Sequence, residues 1–429
     1  MVRSNTGSDG ERQGEPSRRR LFALTGSTAL AALGAAGCGS GGSSAKGGGK
    51  SSASGSSSGS DPGPGAEGRV IAPPATGVLA ANVNQNLDRI NFGESAAVSG
   101  TWIRGFYVMS DAGHGNPATQ PGLAKLLRAA ARGYGTVLGL KFQYANEPIP
   151  VPGSPAMRTA LARLGRVLAA TMGKVDILTI GNEPFFETRG TDRNTSRINT
   201  FYETLALHTA RYRQQHFPSG CRTKIYMGAL TGLDKPADRT AQTRRWMTFT
   251  ARTRSIAGVD IHPHVADPSD AQKYVDYVLP WLRPDQRFLA TEFSLVLLWK
   301  AHLSDSVDPH FAAVNGLRRG TPVWQVIRDA TRQPFGEKKW NDFLLSCSWY
   351  AANRNFLTEQ MRRFRSTGRL AVAGYGITQD EAAARDFGPN SHPWVINSLF
   401  CPYTCMPEPS GLPGRNTTWC GQFRSAQHR

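Results

Sequence analysis

Cysteine is scarce in this sequence, with six residues in 429. A density this low excludes a small secreted fold held together by disulfides. A long hydrophobic run is missing as well, because the apolar stretch near the N-terminus, 21–36, is short and rich in Gly, Ala, Ser and Thr. Such a stretch does not span a bilayer as a permanent helix. With 39% hydrophobic and 19% charged residues, wholesale disorder is excluded. One large globular domain or two ordinary ones remain.

Acidic residues are few: 32 Asp and Glu stand against 50 Lys and Arg, a formal net charge of +18. A basic surface favours anionic partners such as cell-wall polymers, acidic glycans or lipid headgroups. Arginine-rich usage on a solvated surface produces the same excess, so charge alone does not select the partner. No basic motif interleaved with aromatic residues is present in the sequence, and nucleic acid is therefore not expected as a partner.

The N-terminal residues have the pattern of an export signal. Arg18 and Arg19 precede the apolar stretch, which resembles a bacterial twin-arginine export signal. Small residues followed by Cys38 resemble a lipoprotein cleavage box, in which the cysteine becomes the lipidated first residue of the mature protein. The resemblance implies a signal peptide over 1–38, export, and a lipid anchor at the bacterial cell envelope, on its periplasmic or extracellular face. The Gly/Ser-rich segment 39–68 predicts a disordered tether, and 69–429 forms the body.

Short β-rich segments alternate with longer segments of helical periodicity through the body. The predicted strands are Gly77–Val83, Trp102–Val108, Thr136–Phe142, Val175–Ile180, Lys224–Leu230, Val259–His262, Phe288–Thr291 and Leu370–Ile377. The predicted helices are Pro121–Gly133, Ala156–Met172, Ile198–Phe217, Ala241–Ile256 and Ala271–Leu282, a longer helical section over Val323–Arg365, and a closing helix that begins or ends within Asn397–Tyr403. Strands separated by helices pair in parallel through right-handed crossovers.

The glycine fingerprint of dinucleotide-binding folds, G-x-G-x-x-G, is absent after the first predicted strand, where the chain reads Asn84-Gln85-Asn86-Leu87. Eight strands in about 330 residues without this fingerprint favour a closed barrel. The predicted fold class is therefore α/β: a single (β/α)8 TIM barrel with a C-terminal extension, preceded by the signal and the tether.

Two glutamates follow predicted strands of this barrel. The fourth strand delivers Asn182-Glu183-Pro184, and the seventh delivers Glu292. Side chains at the carboxyl ends of barrel strands point into the mouth, where barrel active sites form. Burying an ionised carboxylate there is costly unless the group is paired or functional. We therefore expect both glutamates to converge on one bond.

This pair of strand-end motifs resembles clan A of the retaining glycoside hydrolases, over roughly residues 77–380. The resemblance implies that Glu183 is the general acid/base and Glu292 the nucleophile of an O-glycosidase acting on a poly- or oligosaccharide, which is acidic or cell-wall associated if the positive charge serves binding. Retaining hydrolysis needs two carboxyls about 5–5.5 Å apart and no cofactor or metal.

The resemblance also implies roles for neighbouring residues. Asn182 corresponds to the asparagine that binds the sugar 2-hydroxyl, and Arg104 to an arginine that keeps the nucleophile ionised. His262 and His264 end the sixth strand, where members carry residues that touch the nucleophile or the substrate.

Aromatic side chains are expected to stack on sugar faces. Clan members often carry a tryptophan at the end of strand eight, where this sequence has Tyr375. The candidate stacking platforms are Tyr107, Trp299 and Tyr375.

Five cysteines remain in the body. Export permits one disulfide among Cys401, Cys405 and Cys420, with Cys221 and Cys347 elsewhere. Because the number is odd, at least one thiol stays free or pairs between chains.

Two other functions compete with a glycosidase. His262 and His264 at a strand end are typical of half a metal site, which would make the chain a metal-dependent hydrolase. A surface lipoprotein that binds glycans on the same barrel without catalysis is the other alternative.

Overall fold

The computed structural model describes residues 70–84 and 86–427. The predicted signal peptide, Cys38 and the tether lie outside these residues. Eight parallel strands close into one barrel in sequence order, β1 to β8, with β8 pairing β1. The strands are β1 Val78–Asn82, β2 Trp102–Val108, β3 Gly135–Lys141, β4 Ile177–Ile180, β5 Lys224–Leu230, β6 Ile256–Ile261, β7 Arg287–Ala290 and β8 Leu370–Gly376. The fold class predicted from the sequence is confirmed, since the chain forms a (β/α)8 barrel.

Helices surround the barrel. They are α1 Phe92–Ala97, α2 Pro121–Ala131, α3 Pro155–Thr171, α4 Gly190–Arg193, α5 Ser196–His216, α6 Ala241–Arg252, α7 Asp270–Val278, α8 Val296–Ala301, α9 Pro309–Val314, α10 Val323–Arg332, α11 Glu337–Ser346, α12 Ser348–Ala352, α13 Phe356–Ser366 and α14 Thr417–Gln427. Their buried faces and the outer faces of the strands form one continuous apolar core. Across the described residues, no helix combines the length and the hydropathy needed to cross a bilayer.

Three predicted helices are wrong in extent. The predicted helix over 241–256 ends at Arg252, and Ile256 already begins β6. Ile256 pairs with Ile225 of β5, and Gly258 lies within the strand, where a Cβ would be 1.7 Å from the carbonyl oxygen of Arg287 on β7. The section over 323–365 is four helices, α10–α13, and the closing helix is α14 rather than a helix touching 397–403.

The lower barrel interior is filled by apolar side chains. The nine buried members of this cluster are Val78, Ala80, Trp102, Val137, Ile177, Tyr226, Leu289, Ala371 and Val372. Above them, toward the carboxyl ends of the strands, the interior becomes polar, with Arg104, Thr179, Asp260 and Thr291 all buried. This polar layer is the floor of the barrel mouth.

The cysteines of the described chain are free. Cys347, Cys401, Cys405 and Cys420 are buried and Cys221 is half-buried. The disulfide that the sequence permits among Cys401, Cys405 and Cys420 is not formed in the described residues, where all three side chains belong to the apolar core.

Candidate active site

Glu183 and Glu292 meet at the mouth of the barrel. Glu183 lies three residues beyond β4 and Glu292 two residues beyond β7. One carboxylate oxygen of each lies within 4.8 Å of the other. Glu183 is 8% exposed and the Glu292 side chain 15% exposed, so both carboxyls are largely removed from water while remaining reachable from the mouth.

The turn after β4 aims Glu183 into this space. Glu183 has a φ of +42°, in the left-handed region that costs energy for a residue with a side chain. Its carbonyl oxygen accepts hydrogen bonds from the N–H groups of Phe186 at 2.8 Å and Glu187 at 3.0 Å, which hold the turn. Gly181, with a φ of +104°, precedes it, and a Cβ there would lie 2.9 Å from the Tyr202 ring. The strained backbone at Glu183 therefore orients its carboxyl group toward the barrel mouth.

Arg104 anchors Glu292 from below. The guanidinium is 1% exposed and donates through Nη1 to Glu292 and, at 3.1 Å, to Asn82 Oδ1. Its Nη2 donates to Asn182 Oδ1 at 3.0 Å. Burial of Glu292 opposes ionisation, but the positive charges of His262 and Arg104 outweigh it and hold the pKa of Glu292 well below its ordinary value. The structure therefore keeps this carboxyl ionised.

His262 lies between the two carboxyls. Its Nδ1 is 3.1 Å from Glu183 Oε1 and 3.9 Å from Glu292 Oε2, and its Nε2 is 3.0 Å from Thr291 Oγ1. Burial alone would lower the pKa of His262, but the nearby carboxylates of Glu292, Asp260 and Glu183 raise it to about 10. An imidazolium here donates from both ring nitrogens and neutralises part of the carboxylate charge.

His264 closes the other side of the pair. Its Nδ1 is hydrogen-bonded with Ser294 Oγ at 2.7 Å, which leaves Nε2 facing the carboxyls, 3.5 Å from Glu292 Oε2 and 3.8 Å from Glu183 Oε1. Trp394 packs edge-to-face on the His264 ring with 4.9 Å between ring centroids. Because Trp394 is only half-buried, an indole ring borders the mouth beside the glutamates.

Asn182 is held from two sides. Its Oδ1 accepts from Arg104, and its Nδ2 donates to Glu187 Oε1 at 2.9 Å. Lys141, the last residue of β3, pairs with the same Glu187 oxygen at 2.8 Å. Burial, opposed by Lys141, raises the pKa of Glu187 to about 7. This network fixes which end of the Asn182 amide faces Arg104.

The structure thus brings Arg104, Asn182, Glu183, His262, His264 and Glu292 together, and it leaves the three predicted stacking aromatics outside. Trp299 and Tyr375 are 1% and 0% exposed, and Tyr107 is 5% exposed. Trp299 packs against Trp349, Tyr375 against Phe293, and the Tyr107 hydroxyl donates to Gln120 Oε1 at 2.5 Å. With no ring face available to a ligand, the prediction that these three stack on sugars is wrong, and all three are core residues.

Two residues of the site were missed from the sequence. Trp394 begins a short 3-10 helix 18 residues beyond β8. The expectation of a tryptophan near the end of that strand was the one feature of the sequence analysis that pointed to it. Glu187 lies four residues after Glu183 in a turn, and nothing in its local sequence marks it as a partner of Asn182.

No protein-family model matches this sequence, and no curated protein matches it. Among solved structures, the GH10 xylanase from Bispora sp. MEY-1 with xylobiose is 10% identical with a TM-score of 0.49, covering 82% of this chain and 95% of that one. A Thermobacillus composti GH10 xylanase is 11% identical with a TM-score of 0.45, covering 82% and 97%. The exo-beta-1,4-mannosidase Op5Man5 from Opitutaceae bacterium strain TAV5 is 12% identical with a TM-score of 0.45, covering 85% and 62%.

Proposed function

We propose that this chain is a retaining glycoside hydrolase of the clan A type that cleaves a poly- or oligosaccharide by double displacement. The observation that carries the proposal is the approach of Glu183 and Glu292, with one oxygen of each within 4.8 Å of the other. Retaining enzymes hold their two carboxyls about 5–5.5 Å apart, whereas inverting enzymes need about 6.5–9.5 Å to admit a water between carboxyl and sugar. The spacing here supports the retaining mechanism.

In the first step Glu292 attacks the anomeric carbon and forms a glycosyl ester. Glu183 transfers its proton to the glycosidic oxygen as the carbon–oxygen bond breaks, so the leaving group departs as an alcohol. The contacts of Glu292 with Arg104 and His262 suit this role, because they keep the nucleophile ionised at neutral pH.

In the second step Glu183, now a carboxylate, takes a proton from water, and the water oxygen attacks the anomeric carbon. The ester bond to Glu292 breaks, and both carboxyls return to their starting states. Two inversions at the same carbon retain its configuration. His262, 3.1 Å from Glu183 Oε1, stabilises the carboxylate form of Glu183 during this exchange.

Asn182 and Trp394 complete the proposed subsite. The amide of Asn182 lies one residue before Glu183 and suits the sugar 2-hydroxyl beside the scissile bond. The half-buried indole of Trp394 offers the aromatic face that the predicted tyrosines and Trp299 do not.

Export and anchoring belong to the same proposal. The signal over 1–38 delivers the enzyme to the bacterial cell envelope, where the lipid on Cys38 holds it. Growth with a labelled fatty acid tests this: wild type should carry the label in the membrane fraction, and Cys38→Ser should carry none. Equal labelling of both would remove the anchor from the proposal.

The catalytic proposal is tested with Glu292→Gly. Wild type is first screened on aryl glycosides and polysaccharides, and the variant is then assayed on the same substrates with and without azide. We expect negligible turnover without azide and a glycosyl azide product with it, because the small anion fills the space of the missing carboxylate. Hydrolysis that persists in the variant would show that Glu292 is not the nucleophile.

A comparison of substrates with poor and good leaving groups tests whether Glu183 is the general acid. Glu183→Ala should slow substrates with poor leaving groups far more than activated aryl glycosides, since only the former need a proton. Equal losses on both would remove the acid role. A wild type that binds glycans without turning over any of them would instead support the alternative of a non-catalytic glycan-binding protein.

A further inference from the structure

Four side chains at the mouth direct one donor atom each toward a common point. They are Glu183, His262, His264 and Glu292, and one nitrogen or oxygen of each lies within 4.8 Å of the others. Glu183 Oε1 is 3.1 Å from His262 Nδ1 and 3.8 Å from His264 Nε2. Glu292 Oε2 is 3.9 Å and 3.5 Å from the same two nitrogens. Two nitrogens and two carboxylate oxygens therefore surround a space small enough for one ion.

The four nitrogen–oxygen separations are close to those of a tetrahedral metal site. Zinc binds histidine nitrogen at about 2.0–2.1 Å and carboxylate oxygen at about 2.0–2.2 Å, which makes the edges of the ligand tetrahedron about 3.3–3.5 Å. The four measured nitrogen–oxygen distances, from 3.1 to 3.9 Å, lie on both sides of this range. The nitrogen–nitrogen and oxygen–oxygen separations lie within 4.8 Å, so the four side chains would draw together around a bound ion.

Both histidines are oriented as metal ligands are. A ligating histidine donates its second ring N–H to an outer partner, which fixes the ring and its tautomer. Nε2 of His262 is held by Thr291 Oγ1 at 3.0 Å, and Nδ1 of His264 is held by Ser294 Oγ at 2.7 Å. The other nitrogen of each ring faces the carboxylates, and an ion bound at His262 Nδ1 would displace the proton that this nitrogen donates to Glu183.

His264 Nε2 supplies a second, independent observation. The residue is 4% exposed, and this buried nitrogen makes no hydrogen bond among the described residues, although it faces Glu292 Oε2 at 3.5 Å. A buried polar atom without a partner is costly and unusual in native proteins. Arg104 does not occupy the same position, because it bonds Oε1 of Glu292 and leaves Oε2 to face the histidines.

We propose that these four residues bind one divalent transition-metal ion, with Zn²⁺ as the first choice, and that the bound ion inhibits the enzyme. The inhibition, though not the binding, rests on the proposed function. An ion at this point would engage lone pairs of both glutamates, so that Glu292 would no longer attack the anomeric carbon and Glu183 would no longer carry its proton. Two imidazole ligands favour Zn²⁺, Cu²⁺ and Ni²⁺ over Mg²⁺ and Ca²⁺, which prefer oxygen ligands.

Binding is measured first, on the full chain freed of metal with a chelator and then dialysed. Calorimetric titration with Zn²⁺ should give one site per chain, and Mg²⁺ or Ca²⁺ should give no heat of binding. His264→Ala should weaken Zn²⁺ binding at least tenfold, while His302→Ala, which removes a surface histidine paired with Asp305, should leave it unchanged. Circular dichroism confirms that both variants are folded. If His264→Ala does not fold, Co²⁺ added to wild type gives the answer, since four-coordinate Co²⁺ with nitrogen and oxygen ligands absorbs strongly in the visible.

Turnover is measured second. Zn²⁺ should inhibit aryl-glycoside hydrolysis competitively, and a chelator should restore the full rate. Failure to bind Zn²⁺, or equal binding by His264→Ala and wild type, would overturn the metal site. Stimulation of turnover by Zn²⁺ would overturn the inhibition and support a metal-dependent hydrolase. Zn²⁺ binding without turnover of any glycoside would overturn the proposed function together with the inhibition and leave the metal site standing.

Discussion

Thr291 and Asp260 are joined by two hydrogen bonds where β7 and β6 end side by side. The N–H of Thr291 donates to Asp260 Oδ1 at 3.0 Å, and its hydroxyl donates to Oδ2 at 2.5 Å. Because that hydrogen is committed to Asp260, the hydroxyl oxygen accepts from His262 Nε2 at 3.0 Å. Thr291 immediately precedes Glu292. A single buried hydroxyl therefore couples the strand that precedes Glu292 to the histidine between the two carboxyls.

Removing that hydroxyl should cost activity while keeping the shape of the side chain. Thr291→Val removes the hydroxyl that links Asp260 Oδ2 to His262 Nε2, two atoms 3.7 Å apart, and we expect kcat/KM to fall on the order of 10- to 100-fold. Thr291→Ser retains the hydroxyl and should stay close to wild type. The assay is hydrolysis of an aryl glycoside, with circular dichroism to confirm folding. Equal rates for the two folded variants would show that the hydroxyl does not support the site.

Glu187 is predicted to act through Asn182. Glu187→Ala removes the acceptor that holds the Asn182 amide. We expect kcat/KM on a substrate with a 2-hydroxyl to fall about 10- to 100-fold, the usual loss when a residue that orients a binding side chain is removed. Glu187→Gln, which retains an acceptor oxygen, should lose much less. The readout specific to positioning is the matching 2-deoxy glycoside, on which Glu187→Ala and wild type should react at similar rates.

The same loss on both substrates would contradict this role for Glu187 and indicate general damage to the fold. Damage to the fold would arise through Lys141, which pairs with Glu187 at 2.8 Å and is only 14% exposed. Without Glu187, this largely buried ammonium group would lose its partner. Thermal unfolding of each variant separates the two explanations.

Trp394 should contribute to sugar binding rather than to bond cleavage. Trp394→Ala removes the half-buried ring beside His264. We expect KM to rise about three- to tenfold, which corresponds to the binding free energy of one aromatic contact. Trp394→Phe retains a ring face and should recover most of the affinity. Steady-state kinetics on an oligosaccharide give both constants. A fall in kcat with an unchanged KM would assign the ring to the chemical step instead.

The barrel and its two glutamates were predictable because they depend on local sequence. The strand before Glu183 is an apolar, buried segment. Residues that follow a barrel strand lie at the mouth of the barrel, which places the Glu183 carboxyl there. The ordinal positions of the strands then determine that Glu183 and Glu292 face one cavity. Short β-rich runs also predicted all eight strands to within three residues at either end.

The aromatic platforms were not predicted correctly, for a physical reason that Tyr107 illustrates. Side chains alternate across a strand, so Tyr107, three residues after Arg104, faces the helices when Arg104 faces the barrel interior. Tyr375 likewise packs into the helical core, against Trp419. Trp394 reaches the site through the connection after β8, where its ring contacts His264, and no periodicity of the sequence predicts that contact. The Asn182–Glu187 contact depends in the same way on the geometry of a turn.

Glu94 should make the stability of the fold pH-dependent at a position away from the barrel mouth. Its Oε1 accepts from Asn91 at 3.1 Å, whereas its Oε2 is buried without a hydrogen-bond partner among the described residues. Burial raises the pKa of Glu94 to about 7. A carboxyl whose pKa is higher in the folded state binds its proton more tightly there, so the free energy of unfolding should fall as pH rises from about 4.5 to 7 and then level off.

Glu94→Gln replaces this carboxyl with a neutral group that still accepts from Asn91. At pH 8 the variant should be more stable than wild type by on the order of 2 kcal/mol, and below pH 5, where wild type is protonated, the difference should nearly disappear. Urea unfolding at several pH values measures both. Glu359→Gln, an exposed position on α13, controls for the loss of one negative charge from a basic protein. Glu359→Gln should give no such gain, because it makes a protein of net charge +18 more positive. The same gain in both variants would show that burial of Glu94 is not the cause.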